Sequence, residues 1–418
     1  VAVIVPYGLE DLMANINDYL QWRGDLTFAE RPFNDVDNII LAALSYLDFT
    51  GIVPGEATGR QVTVGQACVR LLEKSGGDVT PYVRSVAKVD SRFVQLLADS
   101  RRFRDALLGA YVDEVDESRA LQFAALQVDM PGETYVSFRG TDSTLVGWRE
   151  DFMLSFTVTE SQREAASYLQ RAIVRAVGQG RTVRVGGHSK GGNLAEYAAA
   201  LCPADLLRSI VRVYSNDGPG MAPEVMSIES REVLGDKLRR IVPSYSIIGM
   251  LFARETDPQI VVRSTGTGIG QHDLTTWQVL RGGVDEELEL QRDCAVLNRA
   301  IAEWAAGIPL DERARAVDEV FDALQAGGAT RFDEIAESSE GFQQVLRALG
   351  ATDARTRELA SALVEATVNI SVETVSRQVR QAWSGFKQTA LSIAEDAAKR
   401  INAPREEIKK RLTEPADK

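Results

Sequence analysis

Thr182-Val183-Arg184-Val185-Gly186-Gly187-His188-Ser189-Lys190-Gly191-Gly192-Asn193-Leu194-Ala195-Glu196-Tyr197 is the stretch on which the fold turns. A short valine-rich strand (182–185) gives way to glycines, and an alanine-rich helix former opens at Asn193. Within it, Gly187-His188-Ser189-Lys190-Gly191 has the form G-x-S-x-G. In that form a strand turns into a helix so sharply that only small residues fit two places before and two after the serine. The serine is held in a strained backbone conformation. The helix N-terminus points at the reacting centre, which favours a developing anion. The five-residue pattern recurs by chance; the preceding strand and the following helix make it specific here. Dinucleotide and P-loop glycine spacings are absent, so no cofactor is expected. Ser189 is the candidate nucleophile.

The chain holds only two histidines, His188 and His272. His188 sits inside the turn, where its side chain points away from the serine. A serine nucleophile with an imidazole base therefore needs His272. His272 follows a strand-like segment, 259–263, and a glycine-rich loop, 266–270. A nucleophile that precedes its histidine in the chain suits the α/β-hydrolase order.

Outward from the turn, strand and helix patterns alternate. Strand-like runs cover 121–128, 133–138, 182–185, 210–215, 238–242 and 259–263, with helical periodicity over 162–178 and 194–201. A Met130-Pro131-Gly132 turn joins the first two runs. This predicts an α/β-hydrolase-like, mostly parallel sheet with helices on both faces over 121–284. Residues 1–120 read as a helical region packing on or covering that core, including a helix over 39–44 capped within 33–38 and a second helical region over 84–110. Residues 285–418 read as a helical unit, broken at 326–328 and 350–352, with a charged tail over 404–418. Amphipathic stretches at 358–368 and 375–393 read as bundle faces rather than membrane anchors.

Val136-Ser137-Phe138-Arg139-Gly140-Thr141-Asp142-Ser143 runs into Gly147-Trp148-Arg149-Glu150-Asp151-Phe152. Here, and in Gly187-His188-Ser189-Lys190-Gly191-Gly192, the chain resembles the class 3 (fungal-type) lipases. Asp18-Tyr19-Leu20-Gln21-Trp22-Arg23-Gly24-Asp25, Ser246-Ile247-Ile248-Gly249-Met250-Leu251 and Gln271-His272-Asp273-Leu274-Thr275-Thr276-Trp277 resemble an uncharacterised bacterial family of the same hydrolase clan, over roughly residues 15–280. The lipase resemblance implies an oxyanion hole from Thr141 and the backbone N–H of Lys190. Arg139 is expected to brace the loop, with an ion pair to Asp151 as one arrangement. The register of the lipase acid falls on Ser246, which cannot serve as an acid. Asp217, in Ser215-Asn216-Asp217-Gly218-Pro219-Gly220 at the end of the next strand, is the natural replacement, with Asp273 ranked second.

Assembled, these residues imply a serine hydrolase, lipase- or esterase-like, cleaving carboxylic esters through an acyl-enzyme on Ser189. Its substrate is then a small-molecule or lipid ester. The alternative is a catalytically idle hydrolase fold serving as an interaction module. Acyl transfer or thioester hydrolysis could use the same residues.

Over 418 residues, 44% apolar and 26% charged residues suit a globular protein with a sizeable core. The net charge of −13 works against nonspecific binding to nucleic acid or anionic membranes. Cys68, Cys202 and Cys294 have neither metal nor disulfide-framework spacing. The two histidines and scattered carboxylates lack metal-ligand spacing as well. No uncharged run has transmembrane length, and residues 1–6 lack the basic region of a signal peptide. A cytoplasmic setting is the default expectation, compatible with a signal removed ahead of residue 1.

Overall fold

The computed structural model describes residues 13–84, 87–116, 121–141, 145–253, 257–291, 307–331, 334–335, 338–353, 356–357, 360–361, 364 and 384. Among the described residues nine strands form one sheet, in the order β1-β2-β3-β4-β5-β6-β7-β8-β11. They are β1 Gln61–Thr63, β2 Leu107–Asp116, β3 Leu121–Met130, β4 Glu133–Phe138, β5 Thr182–His188, β6 Ile210–Asn216, β7 Leu238–Pro243, β8 Gln259–Val262 and β11 Glu286–Glu287. The strands from β4 to β8 run parallel, and antiparallel pairs complete both edges. A small hairpin, β9 Val279–Leu280 with β10 Gly283–Val284, stands apart.

Alternation along the strands feeds a core on each face of the sheet. On one face, Leu126, Val128, Tyr135, Tyr214 and Ile241 pack with α1 Ile16–Arg23, α2 Asp35–Leu44, α3 Val64–Lys74 and α4 Ser91–Asp99. On the other, Phe123, Ala125, Val136, Phe138, Val183 and Val185 meet α6 Glu160–Gly178 and α7 Lys190–Ala200. Between β4 and α6 lies α5 Leu145–Leu154. This is the α/β-hydrolase-like arrangement: a mixed sheet, parallel at its centre, with helices on both faces.

α2 is the pillar of the first face. Asn34 caps it, accepting from the N–H groups of Val36 and Asp37, while Asp37 accepts the Asn34 N–H in return. From Val36 to Leu44 every residue is buried, so this helix is core rather than cover. Asp37 also pairs with Arg102 at 2.6 Å, both side chains all but sealed from water. Arg102 donates further to the carbonyls of Leu26, Thr27, Arg31 and Pro32, binding the loop ahead of α2 to the start of the sheet. Arg102→Ala leaves the buried Asp37 without its partner. The expected cost is about 3–5 kcal/mol, checked as a lower urea midpoint at constant m-value.

The N-terminal stretch is not wholly helical. Two strands, β1 and β2, lie within 1–120, and among the described residues of the expected helical region 84–110 only Ser91–Asp99 is a helix. A bulge between Gly109 and Val112, with Ala110 at φ +50°, shifts the register of β2 against β3. That extra residue hides the period-two signal on which a strand reading depends.

By compactness the chain divides into Val1–Phe321 and Asp322–Lys418. The first unit holds the sheet. In the second, helix Ser339–Ala351 buries Phe342, Val345 and Leu349, and the backbones of Gly327 and Gly341 approach too closely for a side chain on Gly327. Helix Leu310–Gln325 ends at the first expected break and Ser339–Ala351 at the second. Apart from residues 360, 361, 364 and 384, the amphipathic stretches 358–368 and 375–393 lie outside the described residues, as do the tail 404–418 and Cys294. Cys68 and Cys202 are buried free thiols. Among the described residues no helix is long and apolar enough to cross a membrane.

Candidate active site

β5 ends at His188, and Lys190 opens α7, so Ser189 alone makes the turn. Its φ of +57° and ψ of −131° fall in a region that L-residues avoid, a strain of about 1–3 kcal/mol. The flanking glycines are needed for contact as well as conformation. A Cβ on Gly187 would lie 2.4 Å from the Gly191 carbonyl carbon, and one on Gly191 would lie 2.2 Å from the Phe138 oxygen. The Ser189 N–H donates to the Asn216 carbonyl at 2.9 Å, locking the turn to the end of β6.

Immediately beyond β6, Asp217 takes φ +47° and its N–H reaches the Ile241 carbonyl at 2.7 Å. The turn throws its carboxylate toward the end of β8's connection, where a short helical turn, Gly268–His272, delivers the imidazole. His272 Nδ1 lies 2.6 Å from Asp217 Oδ2, and its Nε2 lies 2.9 Å from Ser189 Oγ. The three residues named from the sequence thus form one hydrogen-bonded chain. All are buried: Ser189 and Asp217 at 0% exposure, His272 at 4%.

The acid's other oxygen is held too. Asp217 Oδ1 accepts from the Ser246 hydroxyl and, at 3.1 Å, from the Gly249 N–H. Ser246, at the register of the lipase acid, therefore serves the carboxylate rather than replacing it. Asp273, the second candidate, faces elsewhere. It accepts from the Thr275 N–H and hydroxyl at 2.9 and 2.7 Å and from the Lys88 N–H at 3.2 Å, capping the turn after His272.

His188 points away from the serine, as its place in the turn requires. Its Nε2 lies 2.7 Å from the His272 carbonyl, which can only accept, so Nε2 carries the proton. Nδ1 is then free to accept from the Tyr46 hydroxyl at 2.7 Å. Burial holds this imidazole well below the usual histidine range, hence neutral. The His188 and His272 rings lie 4.5 Å apart, and the Trp148 ring of α5 lies 5.6 Å from that of His272. α5 is itself tied down by an Arg149–Asp318 ion pair at 2.5 Å and a Phe152–Phe321 ring contact. α5 thus lies against the imidazole.

Thr141 follows β4 and is buried, its hydroxyl donating to Asp151 Oδ1 at 2.9 Å. Lys190 is the first residue of α7, where a backbone N–H has no intrahelical acceptor. Its ammonium is drawn off to Glu150 and, at 2.8 Å, to the Gln122 carbonyl. Arg139 braces the loop through Asp113, in a two-pronged pair at 2.6 and 2.8 Å, and not through Asp151. The long β2, unread in the sequence, is what places Asp113 within its reach.

Asp151 also reaches the serine, a contact the sequence does not announce. Its Oδ2 lies 3.3 Å from Ser189 Oγ, with the side chain buried. Burial, with a lesser push from Glu150, raises this carboxyl to about 7, against the opposing influence of Lys190, the Thr141 hydroxyl and His272. The Trp148-Arg149-Glu150-Asp151 segment carries part of the lipase resemblance, but nothing in its spacing sets Asp151 beside Ser189. Among the described residues no group of three or more His, Cys, Asp or Glu side chains could hold a metal ion.

The family model described as Mbeg1-like matches residues 97–322, more than half of the chain. No curated protein matches the chain. Among solved structures it is similar to the native Rhizomucor miehei lipase propeptide complex, at 15% identity and TM-score 0.34 over 55% of this chain and 66% of that one. That is just under two thirds of the Rhizomucor chain. It is similar also to a fungal lipase–inhibitor complex described as a model for interfacial activation, at 16% identity and TM-score 0.30, over 49% of this chain and 82% of that one. With the M37 lipase the identity is 18% and the TM-score 0.33, over 51% and 68% of the two chains.

Proposed function

The chain belongs to the Mbeg1-like family, and from that premise we propose that it is a serine hydrolase that cleaves carboxylic esters through an acyl-enzyme on Ser189. The observation that carries the reading is the unbroken chain Ser189 Oγ–His272 Nε2, 2.9 Å, and His272 Nδ1–Asp217 Oδ2, 2.6 Å, at a strained turn. A hydroxyl becomes a nucleophile when a base accepts its proton during attack, and a carboxylate on the far nitrogen keeps the base in the right tautomer.

In this reading His272 takes the Ser189 proton as Oγ bonds to the ester carbonyl carbon. The carbonyl electron pair moves onto oxygen, facing the Lys190 N–H and Thr141. Each such donor typically contributes about 2.7–4 kcal/mol of barrier reduction. Collapse expels the alcohol, protonated by His272, and water repeats the sequence on the acyl-enzyme. A small-molecule or lipid ester fits this chemistry.

The test is a panel of nitrophenyl esters graded by acyl length, with wild type and Ser189→Ala assayed side by side. Hydrolysis by wild type alone is expected; equal rates from both would remove Ser189 from the mechanism. The idle-module alternative draws on the burial of Ser189. Turnover of any ester in that panel, lost in the alanine variant, excludes it.

Gly249→Ala probes the acid's seat. A Cβ there would lie 2.2 Å from Asp217 Oδ1, so the carboxylate must shift. A displacement of this size is expected to lower kcat/KM about 10²-fold, measured with the best ester of the panel.

A further inference from the structure

Resting on the hydrolase reading, we infer that Asp151 is a further catalytic residue and acts in its protonated form: its acid O–H donates to Ser189 Oγ and leaves the serine's own proton to His272. Too few protons are present at Ser189 Oγ for any other arrangement to leave the base free. Ser189 Oγ lies 2.9 Å from His272 Nε2 and 3.3 Å from Asp151 Oδ2. A hydroxyl has one proton to give. With Nδ1–H committed to Asp217, a neutral His272 presents a bare Nε2, which accepts only. An ionised Asp151 also accepts only, so two acceptors compete for one proton. A proton on Asp151 Oδ2 satisfies both contacts, while Oδ1 still accepts the Thr141 hydroxyl at 2.9 Å. The other placement, on His272 Nε2 with Ser189 donating to an ionised Asp151, holds the same number of protons but leaves the base already charged and idle.

The surroundings favour the neutral acid. Asp151 is 2% exposed. Facing it are Thr141 after β4, Ser189 and Lys190 at the start of α7, His272, and Tyr46 from the N-terminal face; Glu150 adjoins it on α5. The Lys190 ammonium is shared with Glu150, and Arg139 is taken by Asp113, so neither cation is dedicated to Asp151. On α5's other contacts, Arg149 pairs with Asp318 and Phe152 meets Phe321. Burial, the largest influence, raises the carboxyl to about 7.

During attack the Oγ–carbon bond forms, the serine proton passes to His272 Nε2 and the carbonyl electron pair moves to oxygen. Asp151 neither gives nor takes a proton. Kept neutral, it steers the serine proton to the base and places no negative charge beside the forming oxyanion. Ionisation reverses both effects, so the rate falls as pH rises through the carboxyl's titration.

Two measurements on the full chain test this. The first follows the ¹³C signal of aspartate side-chain carboxyls with pH, with Asp151 assigned by its loss in Asp151→Asn. The second is the pH profile of Ser189 acylation by a fluorophosphonate in wild type and Asp151→Asn. The expected results are a carboxyl titrating near 7 and a wild-type rate that declines above it. The asparagine amide donates at every pH, so the variant lacks this decline, and the ratio of variant to wild-type rate climbs about tenfold per pH unit. A carboxyl titrating in the ordinary aspartate range overturns the inference, as does a decline that persists in Asp151→Asn. A role confined to bracing Thr141 scales the rate equally at all pH and also overturns it. Acylation without the alkaline decline leaves the hydrolase reading standing alone. No acylation of folded wild type at any pH removes that reading, and the catalytic role of Asp151 with it.

Discussion

Replacing Ser189 by alanine is expected to lower kcat for ester hydrolysis by about 10⁶-fold with the fold intact. Alanine keeps the Cβ and the backbone path of the turn, and what is lost is a hydroxyl with two contacts, His272 and Asp151. His272→Ala is expected to cost about as much. The double variant should lose little more than either alone, because nucleophile and base act as one unit. Steady-state kinetics on the three proteins, with matched unfolding curves, check both the size and the non-additivity.

Asp217→Asn carries the second-largest effect, about 10⁴-fold in kcat. The surroundings decide which way the amide turns. Ser246 and the Gly249 N–H both donate to Oδ1, so the asparagine oxygen stays there and its NH₂ is forced toward His272. A donor facing Nδ1 moves the imidazole proton to Nε2, and the base can no longer accept from Ser189. Ser246→Ala leaves the Gly249 N–H in place and costs about tenfold. The contrast between the two variants, read in kcat on one ester, separates the tautomer effect from simple loss of support.

The elbow was legible because its constraints are local: the strand, the glycines and the helix lie within one run of sequence. His272 followed from the scarcity of histidine, and Asp217 from the end of the strand after the elbow. Two things were not legible, for physical reasons. β2 carries a bulge with Ala110 at positive φ, which breaks the alternation a strand is recognised by. With β2 hidden, the partner of Arg139 could not be found, since Asp113 lies on it. Asp151 stands in plain view in the sequence, but its nearness to Ser189 depends on how α5 packs against the elbow. No spacing along the chain encodes that contact. Ser246 is an intermediate case: the sequence excludes it as an acid, and only the geometry shows it holding the acid's second oxygen.

Every step proposed for this site rests on an activated nucleophile at Ser189. Its most direct test is labelling with a small fluorophosphonate, read by intact mass and peptide mapping, on folded wild type, Ser189→Ala and His272→Ala. One label per chain is expected on Ser189 in wild type and none in either variant. Unlabelled wild type, or a label that persists when Ser189 or His272 is gone, contradicts it.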